Sequence, residues 1–110
     1  MNKYTELSDF EINKKVADLV LNGEYISSEE NQEVYLATMD GGEFLPIAYF
    51  SPCNSPSNAM LIIIENKIAM NPKDNIWQCG SGLNVAENIN PLRACMEVFL
   101  MMKDAENEKV

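Results

Sequence analysis

Three cysteines, Cys53, Cys79 and Cys95, are the side chains of this 110-residue chain best suited by type to nucleophilic or metal chemistry. A thiol attacks as its thiolate, so it needs a nearby base or an electropositive setting. The chain has no histidine, which removes the commonest general base, the usual catalytic triads and most zinc ligand sets. Its single arginine is Arg93, and the nearest basic residues flanking Cys53 in sequence are Lys15 and Lys67. Acidic neighbours raise a thiol pKa. The cysteines form no Cys-x-x-Cys pair, so neither a catalytic thiol nor a metal centre is expected. Their odd number and wide spacing do not make a disulfide framework either.

The other chemical signals point the same way. Gly80-Ser81-Gly82 lacks the Gly-Lys-Ser/Thr of a phosphate-binding loop and the third glycine of a dinucleotide fingerprint, so it reads as a turn. Glu29-Glu30 are adjacent in a polar stretch and read as solvated, while Glu65 and Glu97 are expected on the outer faces of helices. No catalytic residue and no cofactor is called for. If a ligand pocket exists, its candidate lining is Cys53, Asn54, Asn58 and Trp77. The loop Pro52-Cys53-Asn54-Ser55-Pro56-Ser57 also has a purely structural reading: prolines fix backbone angles, serines cap, and Asn54 bonds its own backbone two residues on.

Charge is the stronger signal. Lys and Arg total 8 against 17 Asp and Glu, a formal net charge of -9. Residues 16–66 hold no Lys or Arg, yet contain Asp18, Glu24, Glu29, Glu30, Glu33, Asp40, Glu43 and Glu65. That balance disfavours direct binding to nucleic acid or to anionic membranes, both of which need clustered cations. It suits an acidic face that docks a basic protein, or one that mimics nucleic-acid charge, as well as a merely solubilising surface.

Around these residues stand the elements that must position them. Ser8 and Glu11 form a capping box ahead of Ile12, Val16, Leu19 and Val20 at helical spacing, with Asn22-Gly23 as a left-handed stop. This predicts a helix over about 9–22. Residues 24–32 read as loop. Val34 to Thr38 and Phe44 to Phe50 read as strands about the turn Asp40-Gly41-Gly42, with Pro46 marking the second as an edge strand or a bulged one. Ser55-Pro56 opens a short helix, about 56–65, closed by Asn66 as a left-handed cap. A second hairpin joins residues 67–70 to 76–79, and 80–88 reads as loop. Asn90-Pro91 starts the last helix, whose core stripe is Leu92, Cys95, Phe99 and Met102, widened by Met96 and Leu100. Trp77 is expected in the core. Met101 and Met102 cannot both face it, so one would serve a dimer or partner contact. Residues 104–110 carry no apolar face and are expected to fray.

The fold class expected is therefore a single α+β domain spanning 1–110, in the order helix, hairpin, helix, hairpin, helix, with a small antiparallel sheet and the helices on one face. The N-terminus has no apolar run of signal-peptide length, and Ala59 to Ile64 is far too short to span a membrane.

The order of these pieces has a known likeness. Pro52-Cys53-Asn54-Ser55-Pro56-Ser57-Asn58-Ala59, an Ile-Ile run closing on Glu65-Asn66-Lys67-Ile68, a tryptophan strand, and Pro91-Leu92-Arg93-Ala94 with Val98-Phe99-Leu100-Met101-Met102 resemble the NinX-like family of lambdoid phages and prophages. The resemblance runs from about Glu6 to Lys103. Where Asn58 stands, members often carry an acidic residue, and where Met60-Leu61 stand, an aromatic followed by proline. The resemblance implies a phage product at work in the cytoplasm of an infected bacterium, and it brings no catalytic residues. The partner expected is a host or phage protein, with a homodimer also open.

Overall fold

A computed structural model of the chain describes residues 2–40 and 43–108, the side chains of 37–46 and 108 being outside that description. Three helices and two antiparallel sheets follow one another as α1 (Asp9–Val20), β1 (Tyr25–Ser28), β2 (Glu33–Asp40), β3 (Glu43–Tyr49), α2 (Pro56–Glu65), β4 (Met70–Lys73), β5 (Ile76–Ser81), β6 (Asn84–Asn88) and α3 (Pro91–Glu108). The α+β class and the helix, sheet, helix, sheet, helix order are those the sequence predicts. Each expected hairpin gains a third strand, giving separate sheets ordered β1-β2-β3 and β4-β5-β6.

Both added strands correct segments read as loop. Residues 24–32 are polar overall, but Tyr25 and Ile26 pair with Leu36 and Tyr35, so β1 forms because β2 offers it a ladder. Residues 80–88 fold back because Gly80 takes φ +90° and Gly82 φ +62°, which sends β6 beside β5 with Cys79 opposite Ala86. At Gly80 a Cβ would lie 2.0 Å from the Asn84 carbonyl oxygen, so no other residue fits there.

Local chemistry sets the helix ends. The Ser8 hydroxyl accepts the Glu11 amide at 3.1 Å while Glu11 reaches back to the Ser8 amide, the predicted capping box. α1 stops at Val20, two residues short of expectation, and Asn22 takes the left-handed φ of +51°. Two cap assignments at α2 are corrected. Ser55 makes no side-chain cap because its carbonyl already takes the Asn58 and Ala59 amides, and its hydroxyl pairs with that of Ser57. Asn66 stays right-handed at φ -99°, and Lys67 makes the left-handed turn instead. Asn90 does cap α3, its side-chain oxygen accepting the Leu92 amide at 3.0 Å.

β3 is an edge strand and is also bulged. Its register steps between Leu36↔Ala48 and Ala37↔Pro46, leaving Ile47 as the extra residue. The second hairpin sits later than expected, with Asn71, Pro72 and Lys73 inside β4 and Asp74 turning at φ +54°. Pro72 is tolerated because β4 is an edge. The tight turn assigned to Asp40-Gly41-Gly42 lies outside the described residues.

The core gathers on α3, which packs against β5 and β6 on one side and α1 and α2 on the other. Residues 93–100 are consequently all buried, where the sequence suggested a single stripe. Ile12, Val16, Cys95 and Phe99 are in the core as expected. Leu92 is half-buried. Leu19 is 43% exposed, at the margin of a groove shared with Ile62, Glu65 and Phe99 where α1 runs out. Met101 and Met102 are both half-buried, and Trp77 packs on the core from β5. α3 continues through Glu108, and within the stretch expected to fray Asp104 accepts a hydrogen bond from the Tyr4 hydroxyl and pairs with Lys3.

Candidate functional site

The Cys53 loop is built by asparagines. The Asn13 side chain of α1, itself buried, accepts the Cys53 amide at 3.0 Å and donates to the Ser51 hydroxyl. The Asn58 side-chain oxygen accepts the Ser51 amide at 2.9 Å, and Asn90, at the head of α3, donates its amide to the Cys53 carbonyl at 2.6 Å. These bonds satisfy the polar groups of a turn that carries a fully buried thiol. Asn54 does not bond its own backbone two residues on, as the sequence suggested. Its side chain reaches back to the Ser51 hydroxyl and across to Asp9, because the Ser51 carbonyl takes the Asn54 and Ser55 amides and folds the loop tightly.

Cys53, Asn54 and Asn58 therefore lie together, with Asn54 exposed and Asn58 half-buried. Trp77 stands on the second sheet opposite Asn88, whose side chain accepts the amide of Asn90, the residue that holds the Cys53 carbonyl. An open groove of about 320 Å³ beside the loop is lined by Asn13, Gln32, Glu33, Val34, Tyr49, Phe50 and Ser51. Sequence reasoning missed Asn13 and Asn90, the residues that hold the loop. Only the asparagine-cap signature of Asn90 hinted at a structural task.

Burial, reinforced by the Asp9 charge and only partly opposed by Arg93, pushes the Cys53 thiol up to about 12. Burial likewise raises the Cys79 and Cys95 pKa values, with each thiol also acting on the other. All three are free and buried, so their chemistry is that of core residues.

Next to this loop lies the densest polar cluster of the core. Arg93 donates from Nε to Glu97 and from Nη1 to Asp9, both at 2.7 Å, and from Nη2 to the carbonyls of Tyr4 and Leu7. Asn2 donates to the other Glu97 oxygen at 3.0 Å. Burial disfavours the Arg93 charge, but the bonds to Asp9 and Glu97 outweigh that and raise its pKa. This corrects the placing of Glu97 on an outer face: it is 2% exposed, because the N-terminal segment folds over this part of α3 and brings Arg93 its other partners. The cluster ties residues 2–9 to α3. With every buried side-chain N and O bonded among the described residues, its fork of donors is spent on the fold rather than held for a ligand.

The exposed carboxylates assemble elsewhere. The Tyr25 hydroxyl donates to Asp18, and Lys14 pairs with Glu29 at 2.8 Å, which joins the outer side of α1 to β1 and its following turn. Asp18 and Glu29 line a groove there with Glu11, Lys14 and Lys15. Glu24 and Glu30 are also exposed, and Glu33 is half-buried and bonded by the Tyr35 hydroxyl. The side chains of Asp40 and Glu43 lie outside the described residues. No basic residue occupies the last turn of α1, so Asp18 faces the negative end of the helix dipole without compensation there.

Among the described residues no group of three or more metal-ligating side chains is placed to hold an ion, and no helix is long and apolar enough to cross a membrane. Fold and surface define a small two-sheet α+β protein that presents carboxylates outward and keeps its thiols inside. A family model described as "Bacteriophage P22, NinX" matches residues 3–103, and the chain belongs to that family: it is a phage protein. No curated protein and no solved structure matches it.

Proposed function

We propose that this phage accessory protein acts without catalysis, by binding a basic region of a host or phage protein through the acidic surface of α1 and β1, in the cytoplasm of the infected bacterium. The observation that carries the reading is the exposure of Asp18, Glu24, Glu29 and Glu30, in a stretch without Lys or Arg from residue 16 to 66, with Asp18 and Glu29 lining one groove between α1 and the end of β1. Lys14, paired with Glu29, and Lys15 line the same groove and offset part of this charge. Like charges held close cost free energy that a cationic partner recovers, and such complementarity mainly speeds and selects the encounter. The asparagine-held Cys53 loop supports this reading over a ligand site at Cys53, Asn54, Asn58 and Trp77, since the Cys53 thiol is buried and the Asn58 oxygen already accepts a backbone amide.

The experiment is affinity capture from host cells with the wild type, Glu24→Lys/Glu30→Lys and Leu83→Ser. Leu83 is 97% exposed at the β5–β6 turn, remote in sequence from the acidic surface. The expected result is one specific protein retained by the wild type and the Leu83 variant, released by raised salt, and lost from the charge-reversed chain. Equal retention by all three would overturn the proposal.

A further inference from the structure

α2 carries two apolar faces where a surface helix needs one. Ala59, Ile62 and Ile63 are buried, while Met60, Leu61 and Ile64 on the opposite side are 38%, 63% and 64% exposed. With Ser57 these outer residues fall at i, i+3, i+4 and i+7, a complete helix-packing stripe. Helices apolar all round are normally covered on both sides.

We infer that this stripe is where a second copy of the chain docks, the two α2 helices packing antiparallel about a two-fold axis. Size complementarity supports a second copy. Pairing Leu61 near the axis sets Ile64 of each chain against Ser57 of the other, large against small. Charge supports it too. At a net charge of -9 two copies repel over most of their surface, but Glu65 is the sole charged residue of α2. In the antiparallel arrangement Glu65 flanks the partner's α2 N-terminus, where Ser55 supplies no side-chain cap and the helix dipole favours an anion. A parallel pair would instead bring the two Glu65 carboxylates together.

The contact is small. Ten residues make a helix about 15 Å long, which buries well under the ~800 Å² per partner of a standard interface. The dimer is accordingly a weak, concentration-dependent one, and its stripe shares no residue with the acidic surface formed by Asp18, Glu24, Glu29 and Glu30.

Sedimentation equilibrium tests this directly. The weight-average mass should climb from the 12.4 kDa of the monomer toward twice that as concentration rises from about 1 to 500 μM, the range of weak association. Leu61→Glu/Ile64→Glu should hold the monomer mass throughout with an unchanged circular-dichroism spectrum, and Glu65→Lys should weaken association several-fold. Orientation is read by mixing Ser57→Cys and Ile64→Cys chains under oxidised glutathione. The mixed disulfide should dominate over either homodimer. A monomer mass at every concentration, association that survives the double variant, or dominant like-with-like disulfides would each overturn the antiparallel α2 dimer.

Discussion

Arg93 and Glu97 face each other one turn apart on α3, Nε to carboxylate at 2.7 Å, with side chains only 8% and 3% exposed. A pair this deep contributes less to net stability than its distance suggests, because both ions lose their hydration. Its value lies in what else the arginine reaches. The Tyr4 and Leu7 carbonyls and the Asp9 carboxylate meet the same guanidinium, so α3 reads the position of the N-terminal segment through one side chain.

Removing one member leaves the other charge buried. Arg93→Ala, which leaves the buried Glu97 carboxylate with the Asn2 bond but no cation, should therefore cost about 3–5 kcal/mol in urea unfolding, and Glu97→Ala somewhat less, because Asp9 still meets the guanidinium. Asp9→Ala should cost far less, since the Asp9 side chain is 46% exposed. Equal losses at Asp9 and Glu97 would show that the N-terminal contact, not the buried pair, dominates.

The capping box gives a smaller, local effect. Ser8→Ala removes the acceptor of the Glu11 amide and should lower stability by about 1 kcal/mol, with the circular-dichroism helix signal reduced little. A change below about 0.3 kcal/mol would mean that water serves the first turn of α1 as well as the hydroxyl does.

What was legible in the sequence had local causes. Ser8 with Glu11, Pro56 and Asn90-Pro91 each specify a helix start within four residues, and all three helices begin where those signals stand. Glu97 was misplaced because its partner's other ligands lie 84 to 89 residues away, and a helical wheel registers polarity without knowing what will cover it. β1 and β6 were missed for the same reason: Tyr25-Ile26 and Val85 favour strands, but each sits in a short polar segment that becomes a strand on the template of β2 or β5. The Cys53 loop was legible as a structural turn, but Asn13 and Asn90, 40 and 37 residues away, were not legible as its supports.

That support makes the thiols slow. Cys53, Cys79 and Cys95 are all buried, and burial raises the pKa of each. At neutral pH a thiol reagent should label the native chain orders of magnitude more slowly than the chain in guanidinium, where three equivalents react together. Fast labelling of Cys53 in the native state would show that the loop opens and would revive the ligand-site reading.

The tyrosines supply a titration in the alkaline range. Tyr4, Tyr25 and Tyr35 each donate a hydroxyl proton to a carboxylate, to Asp104, Asp18 and Glu33 in turn. Ionising the phenol would set two negative oxygens against each other, so each of these tyrosines has a raised pKa. At Tyr25 the bond to Asp18 leads, helped by burial and by the Asp18 charge, and pushes it up to about 12. At Tyr4 burial leads and the Asp104 bond adds to it. A folded-state pKa above the unfolded value of about 10 stabilises the fold fully below pH 10, and that stability is lost as pH rises through the folded pKa. Asp104 has the opposite sign: the Tyr4 bond lowers its pKa, so its contribution is present above the usual carboxylate range and lost on acidification. Absorbance at 295 nm should thus show markedly less phenolate in the native protein than in the unfolded chain at pH 10.5–11. Tyr25→Phe should remove one of the late-titrating groups and leave neutral-pH stability within about 1 kcal/mol of wild type, the worth of one exposed hydrogen bond. Native and unfolded chains that titrate together would mean that these hydroxyls spend most of their time off the carboxylates.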